Sequence, residues 1–292
     1  MNGILLIDKP QEWTSHDVVG KLRGILHEKR IGHSGTLDPM ATGLLVIFVG
    51  RATRAVEFAE ADAKEYIAGL RLGVTTDTQD ITGTVLAEKP QTATVQDVQA
   101  ILPRFTGPQE QIPPMYSAIK VGGKKLYDIA RKGGEVERKP RAITIHSLEL
   151  VEGGNVPEGD FCLDVVCSKG TYIRTLCNDM GEALGVGGTM SSLRRIRAGE
   201  FSLDSALTLE QVAEAAARGE AESLLLPVDH LFRGYPALTL TPKQTKRTLV
   251  GGQFSLSQPD GTYRFYDESG SFLALGKVEE GTASTIKSFF EV

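Results

Sequence analysis

A glycine-rich turn followed by an apolar run constrains this chain more than any other stretch of its sequence. Residues 30–50 read "RIGHSGTLDPMATGLLVIFVG", in which the apolar residues 44–49 stand between two glycines. A short apolar run bounded by turn residues predicts a buried β-strand. Within the turn, Pro39 disfavours the helical region for Asp38 and holds its backbone extended. The stretch therefore predicts a carboxylate presented from a stiff turn just before a buried strand.

Two interpretations of Asp38 follow from the turn alone. An aspartate in a turn often accepts hydrogen bonds from its own backbone, which would give it a purely structural role. Glycines at positions 32, 35 and 43 would instead allow another chain to approach the carboxylate closely. The tripeptide Leu-Asp-Pro does not separate these interpretations, so the longer context has to decide.

Length and composition bound the class of protein. At 292 residues, with 41% hydrophobic residues and a formal charge of -5, the sequence predicts one large folded domain and one small one. The longest apolar run is too short for a membrane span and "MNGILLIDKP" has no basic leader, which predicts a cytoplasmic protein. The three cysteines form no CxxC pair and the five histidines lack metal-ligand spacing, so we expect no disulfide and no metal.

Hydrophobic periodicity predicts an α+β fold with a mixed core. Strands are expected at residues 3–7, 44–49, 64–73, 142–151 and 161–168, and helices at 94–105, 172–184, 209–225 and from Ser15 onward. Ser15 is the expected cap of the first helix, and the alternating strand 64–73 is expected to be half-exposed. Short glycine-punctuated strands fill the end of the chain. We therefore expect domains at 1–232 and 233–292.

Positive charge is concentrated in one segment of this acidic chain, about residues 117–141. Its cations are Lys120, Lys124, Lys125, Arg131, Lys132, Arg138, Lys139 and Arg141. The segment predicts a strand, a glycine turn and a short helix inserted on the core. Further clusters lie at 194–197 and 21–54. Any one cluster is typical of a solvated face, but three together favour a polyanionic partner.

The longer context of the turn carries a specific resemblance. The stretch "GHSGTLDPMATGLL" resembles the catalytic motif of the TruB family of tRNA pseudouridine synthases. Further blocks resemble the family in the same order, namely "LLIDKP" with "TSHDVV", "KEYIAGLRLGVTTDTQDITG", "IPPMYSAIKVGGKKLYDIARKG", "CSKGTYIRTL" and "SLRRIRAGEF". They span residues 4–201. The chain departs from the family pattern at Glu12, where the family usually has glycine, and this places the local turn geometry in question.

The resemblance implies an enzyme that isomerises uridine 55 in the T-arm loop of tRNA to pseudouridine. The N1–C1′ bond breaks, the base turns over and C5 joins C1′, with one carboxylate and no cofactor. By this resemblance Asp38 is the catalytic residue. It attacks C1′, attacks the base or takes the C2′ proton, and the sequence leaves these three routes open. Arg174 matches the family arginine that pairs with the aspartate and opposes the effect of burial on its pKa.

The resemblance also implies a pocket for a flipped base. Tyr66 matches the tyrosine that packs on the base, Tyr172 and Leu193 match residues that wall the pocket, and His33 matches the histidine that enters the RNA loop. Taken alone, a tyrosine such as Tyr66 is more typical of a half-buried core and His33 of an exposed turn. Ordinary packing of Tyr172 and Leu193 is compatible with a role in the pocket wall. Asp77 and Asp80 fit the family block loosely, and we interpret them as turn acids.

RNA binding is expected along the basic segment, which resembles the thumb-like RNA clamp of the family. The residues expected to face the RNA backbone are Lys9, Lys120, Lys124, Lys125, Arg131, Lys132, Arg194 and Arg195. The fold implied is a pseudouridine synthase core with a small β-rich, PUA-like C-terminal domain that holds the acceptor end of tRNA. A β-rich cap that only stabilises the core is the alternative for residues 233–292.

Three other functions compete with the isomerase. The first is an RNA-binding protein that helps tRNA to fold, with catalysis secondary. The second is a guide-dependent enzyme that works with partner proteins, although the long basic insertion favours autonomous recognition of tRNA. The third is a small-molecule enzyme, but the chain has no GxxxxGK[ST], HExxH or GxSxG signature. We therefore expect tRNA as partner, without guide RNA, membrane or obligate protein partner.

Overall fold

The computed structural model describes residues 1–59 and 63–290 of the chain. The strands are β1 (Gly3–Lys9), β2 (Ile31–Ser34), β3 (Thr42–Val49), β4 (Lys64–Leu72), β5 (Val74–Thr76), β6 (Val85–Glu88), β7 (Gly107–Gln111), β8 (Lys120–Val121), β9 (Lys124–Lys125), β10 (Arg141–Leu150), β11 (Phe161–Cys167), β12 (Gly188–Ala198), β13 (Phe201–Ser202), β14 (Ala237–Thr239), β15 (Phe254–Ser255), β16 (Gly261–Tyr266), β17 (Phe272–Glu279) and β18 (Thr282–Ser288). The α-helices are α1 (Ser15–Leu26), α2 (Val56–Ala59), α3 (Val95–Ile101), α4 (Leu126–Ala130), α5 (Ile173–Ala183), α6 (Leu209–Ala217) and α7 (Pro242–Leu249).

A large mixed sheet forms the core of the molecule. Its strand order is β1-β3-β12-β4-β11-β10-β7, with β2 on β3 and β13 on β12. The pairs are antiparallel except β3 with β12, which run parallel. A Cβ at Gly43 would lie 2.3 Å from the backbone oxygen of Arg195, so only glycine permits this close approach of β3 to β12. The predicted α+β class is confirmed.

The apolar run at residues 44–49 forms β3, as predicted. Leu44, Val46 and Phe48 belong to one hydrophobic cluster, which also packs on the C-terminal unit. The alternate residues of the strand, including Leu45 and Ile47, belong to a second cluster with helices α1 and α6. Because successive side chains of a strand point to opposite faces, a strand covered on both faces reads as a continuous apolar run.

Helix α1 begins one residue away from the predicted position, and the difference bears on the turn that carries Asp38. The N-cap is Thr14, not Ser15, because Thr14 and Asp17 form a reciprocal capping box. Ser15 is buried in the first turn of the helix, where its hydroxyl accepts a hydrogen bond of 3.0 Å from the backbone N–H of Leu37. The start of α1 is thereby tied to the turn that carries Asp38.

Two further expectations are corrected. Strand β4 was expected to be half-exposed, but it is buried along most of its length. It lies between β12 and β11 inside the large sheet, and a strand whose two faces are covered does not need a polar face. Helix α6 ends at Ala217 because Gly219 adopts φ +75° and stops the helix, and a separate 3-10 turn follows at Ala221–Leu224. The other predicted strands and helices occur within a few residues of their expected bounds.

The basic segment and the C-terminal region have the predicted character. Residues 117–141 contain β8, a Gly122-Gly123 turn, β9 and the short helix α4. The end of the chain forms a separate sheet of order β14-β16-β17-β18-β15 with helix α7 beside it, which confirms a β-rich C-terminal unit. It packs on the core through aromatic contacts of Phe232 with Phe272 and Phe289, with ring centroids 6.0 and 5.6 Å apart.

No helix within the described ranges, 1–59 and 63–290, is both long and apolar enough to cross a bilayer.

Replacing Glu12 by glycine is expected to raise the free energy of unfolding measurably. Its φ of +67° lies in the left-handed region, which costs a non-glycine residue about 1–2 kcal/mol. Its backbone N–H donates to the carbonyl of Pro39 at 2.8 Å, so the turn cannot relax freely. We expect Glu12→Gly to raise the free energy of unfolding by about 0.5–1 kcal/mol after the extra chain entropy of glycine. Urea denaturation measures this, with Glu12→Ala as a matched control expected to gain nothing. A lower stability of Glu12→Gly would contradict this account of the turn.

Candidate active site

The turn between β2 and β3 holds Asp38 in a fixed position. The Ala41 N–H donates to the Asp38 carbonyl at 3.0 Å, which closes the turn on itself. From outside, Glu12 and Lys9 donate to the carbonyl of Pro39, at 2.8 and 3.3 Å. Together with the bond from Leu37 to Ser15, these contacts bind the turn to β1 and α1. The Asp38 carboxylate is thus carried on a backbone that several elements immobilise.

The partner of the Asp38 carboxylate is Arg174, in the first turn of α5. Its Nη2 lies 3.2 Å from Asp38 Oδ2, and the same nitrogen donates to the carbonyl of Tyr116 at 2.8 Å. Its Nη1 lies 3.7 Å from Asp80 Oδ2. The guanidinium is buried and its carbon stands 5.8 Å from the ring centroid of Tyr172. The first interpretation of Asp38, a carboxylate engaged by its own turn, is therefore not what the structure shows.

Asp80 is a site residue that the sequence analysis treated as a turn acid. Its side chain is buried, and its Oδ1 accepts hydrogen bonds from the hydroxyls of Thr78 and Thr82, at 2.9 and 2.5 Å, and from the Thr82 N–H at 2.9 Å. The other carboxylate oxygen faces Arg174. The available signal was the spacing "TQDIT", in which threonines two residues before and two after an acid can saturate one carboxylate oxygen. Asp77 remains a turn acid that accepts from the Thr84 N–H at 2.7 Å.

Burial and the neighbouring charges act on the pKa of Asp38 in opposite directions. Burial raises the pKa of the carboxyl above its ordinary value, and the charge of Asp80 adds to this. Arg174 is the largest influence in the opposite direction, and Lys9 adds a smaller one. Burial also lowers the pKa of Lys9 to about 8. The net effect is a raised Asp38 pKa, and Arg174 reduces the rise that burial causes.

A cavity of about 680 Å³ opens above Asp38 and brings the predicted pocket residues together. It is lined by Asp38, Tyr66, Tyr172, Arg174, Leu193 and His33, among others. The Asp38 side chain keeps 38% of its surface accessible, so the carboxylate can meet a molecule in the cavity. Tyr66 is buried, which raises the pKa of its phenol, while nearby Arg195 opposes that shift. His33 lies on β2 with a buried Nδ1 that has no hydrogen-bond partner among the described residues, and burial lowers its pKa.

Lys9 and Arg195 do not face solvent, which corrects two of the expected RNA-backbone contacts. Lys9 is fully buried, and its ammonium donates to the carbonyls of Trp13, Pro10 and Pro39, at 2.6, 2.8 and 3.3 Å. Arg195 is equally buried and donates to the carbonyls of Leu44 and Gly35, at 2.7 and 2.9 Å. Backbone carbonyls inside the core hold both side chains, so neither is presented at the outer surface. Lys9 and Arg195 instead hold the turn that carries Asp38.

Among the remaining cations expected at the RNA backbone, those whose side chains are described lie outside the pocket. Lys120, Lys124, Arg131 and Lys132 are exposed on the basic segment. The side chain of Lys125 lies outside the part of the structure that is described. Arg194 is half-buried on β12 and forms an ion pair with Asp8, with 2.7 Å between Nη2 and Oδ2. Contact of these residues with RNA stays a prediction.

The described residues hold no group of three or more His, Cys, Asp or Glu side chains placed to bind a metal ion. The three cysteines are free and buried. Burial raises the pKa of Cys167 to about 11 and that of Cys177 to about 12, so both stay protonated thiols at neutral pH.

Comparison with known families places a fold and site of this kind among the pseudouridylate synthases. The model of the TruB family pseudouridylate synthase N-terminal domain matches residues 23–173, and that of the tRNA pseudouridylate synthase B C-terminal domain matches residues 174–233. The chain belongs to the TruB family.

Individual relatives agree with the family models. The chain is 41% identical to the tRNA pseudouridine synthase B of Clostridium kluyveri over 99% of this chain and 100% of that protein. It is 43% identical to the one of Bacillus cereus over 94% of this chain and 92% of that protein. Among solved structures, it resembles a chain of an H/ACA RNP bound to a substrate RNA containing 2′-deoxyuridine, with a TM-score of 0.73 at 22% identity, over 99% of this chain and 85% of that one. A chain of a Cbf5-Nop10-Gar1 complex aligns equally well at 24% identity, with a TM-score of 0.73 over the same shares. At these identities the structural likeness shows the fold alone.

The opposing effects on Asp38 predict the result of removing Arg174. Because Arg174 is the largest influence that lowers the Asp38 pKa, Arg174→Gln is expected to raise that pKa further. Titration of the Asp38 carboxyl carbon by NMR measures the shift. Arg174→Lys, which keeps the charge but loses the planar fork, is the matched control and is expected to shift the pKa less. An unchanged titration in Arg174→Gln would contradict the assigned role of the ion pair.

Proposed function

We propose that this protein converts uridine 55 in the T-arm loop of tRNA to pseudouridine, with Asp38 as the catalytic residue. The observation that supports this most strongly is the Arg174–Asp38 ion pair at a cavity walled by Tyr66, Tyr172 and Leu193. The family to which the chain belongs and the names of its relatives support a tRNA substrate.

The reaction makes demands that these residues can meet. The N1–C1′ bond breaks, the base turns over, C5 bonds to C1′, and the hydrogen on C5 leaves as a proton while N1 gains one. An ionised Asp38 can attack C1′, attack the base or take the C2′ proton, and each route needs the charge that Arg174 stabilises. A cavity of about 680 Å³ leaves room for a base to turn while bound.

The position of the cavity requires that the uridine leave its stack. A base paired or stacked within an RNA loop cannot reach a carboxylate inside a pocket, so it must be extruded first. Tyr66 supplies an aromatic surface for the extruded base, and Leu193 and Tyr172 close the walls. His33, at the same cavity, is the residue we propose to contact the RNA loop. Cations of the basic segment and Arg194 would bind the backbone around it.

We further propose that the protein acts on tRNA without guide RNA or an obligate protein partner, in the cytoplasm. The exposed cations of residues 117–141 can recognise a loop directly, which a guide would otherwise supply. The buried free thiols suit a reducing compartment. The proposed domains are a catalytic domain at 1–232 and a PUA-like domain at 233–292 that holds the acceptor end of tRNA.

Replacing the catalytic carboxylate tests this proposal and separates it from a role in tRNA folding alone. Asp38→Asn keeps the shape of the side chain but removes its charge, so we expect pseudouridine formation to fall by about 10³-fold or more. Binding of tRNA by filter assay should change by no more than about threefold, since one neutralised carboxylate breaks no phosphate contact. Asp260→Asn, in the C-terminal unit, is the matched control. Full activity in Asp38→Asn would refute the assignment of the catalytic residue.

Tyr66 supplies a second test of the pocket. Tyr66→Phe keeps the ring that packs on a base but removes the hydroxyl, a group that could assist proton removal from C5. We expect kcat to fall by about 10²-fold with KM nearly unchanged. Single-turnover kinetics with a tRNA transcript measure this split. A rise in KM at constant kcat would instead assign Tyr66 to substrate binding alone.

A further inference from the structure

A second cavity, of about 390 Å³, adjoins the cavity above Asp38. The two cavities share three lining residues, Gly35, Lys64 and Gly170. The remaining lining residues of the second cavity are Arg141, Ala142, Ile143 and Lys169. Because glycines form part of the shared boundary, a chain can pass between the cavities without meeting a side chain at those positions.

The charged residues that line the second cavity, within the described part of the chain, are all cations. They are Lys64, Arg141 and Lys169. Arg141 and Lys169 are exposed, and within residues 1–59 and 63–290 neither lies within 4.0 Å of a carboxylate oxygen. Like charges facing one space repel each other, so this arrangement favours an anion between them.

The three cations stand on rigid elements of the core. Lys64 begins β4, Arg141 begins β10, and Lys169 is the second residue after β11. These strands are neighbours in the sheet, with Cys167 of β11 paired to Lys64. The turn after β11 is fixed by a hydrogen bond of 2.8 Å from the Thr144 N–H to the Ser168 hydroxyl. The cations are therefore pre-positioned, in contrast to those on the short turn and helix of the basic segment.

We propose that this cavity binds a backbone phosphate of the RNA strand directly next to the target uridine. The inference rests on the proposed function, since it assumes that a nucleotide enters the Asp38 cavity. A nucleotide extruded into that cavity carries its phosphates to the rim, where the adjoining space presents three cations. Phosphate contacts fix the register of a nucleic acid without reading its sequence. The subsite thus anchors the strand while the detached base turns over.

Charge removal at the two exposed cations tests the subsite. The double variant Arg141→Gln/Lys169→Gln is expected to raise KM for a T-arm stem-loop RNA about tenfold with kcat unchanged, since neither residue lines the Asp38 cavity. The slope of log affinity against log salt should fall by about 0.7 for one lost single-strand phosphate. Arg218→Gln/Lys89→Gln, outside both cavities and within residues 1–232, removes the same charge and is the matched control. Equal effects in the two double variants would overturn the proposal.

A coupling experiment identifies the phosphate itself. Stem-loop RNAs carrying one neutral methylphosphonate at each position around the uridine are bound to wild type and to the double variant. One position next to the uridine should weaken wild-type binding but cost the double variant no further affinity. Additive losses at every position would overturn the proposal.

The same measurements separate failure of the subsite from failure of the proposed function. If one methylphosphonate position is coupled to the double variant but the wild-type protein forms no pseudouridine, the subsite is supported and the proposed activity is rejected. Pseudouridine formation without such coupling would retain the activity and reject the subsite.

Discussion

The ion pair between Arg174 and Asp38 is the interaction on which the rest of the site depends. A carboxylate inside a cavity loses water and its pKa rises, so a fixed cation has to offset that penalty for the charged form to persist. Arg174 is itself buried, and it faces Asp80 as well as Asp38. Two acids thus share one guanidinium, and Asp80 fixes the arginine while raising the pKa of the carboxyl that the arginine serves.

The surrounding fold keeps Asp38 in place with buried cations and backbone carbonyls. Lys9 and Arg195 extend from β1 and β12 to the turn that carries Asp38 and donate to main-chain oxygens. Burying such charges is costly unless they are hydrogen-bonded, and these contacts reduce that cost. Lys9 also lowers the Asp38 pKa, which burial raises. Lys9 therefore contributes both to the rigidity of the turn and to the ionisation of Asp38.

Much of the fold could be predicted from local signals, and the misses have physical causes. The apolar run at 44–49 predicted β3 because a strand covered on both faces tolerates no polar positions. The cap of α1 was misplaced although "TSHD" contains the Thr14–Asp17 capping box, and the predicted helix 209–225 overlooked the stop at Gly219.

Motif resemblance grouped Asp38, Tyr66, Tyr172, Arg174 and Leu193, which line one cavity. It failed for Lys9 and Arg195 because residue type does not reveal whether a cation is buried, and for Asp80 because its partner is 94 residues away in sequence.

The central claim is that this chain alone directs one ionised carboxylate at one uridine of tRNA. Position-resolved pseudouridine mapping tests it most directly, on an unmodified tRNA transcript treated with the purified protein and no guide RNA. The account predicts a single pseudouridine, at position 55 of the transcript. A folded protein that binds the transcript but leaves every uridine unchanged, or that modifies a different position, would contradict it.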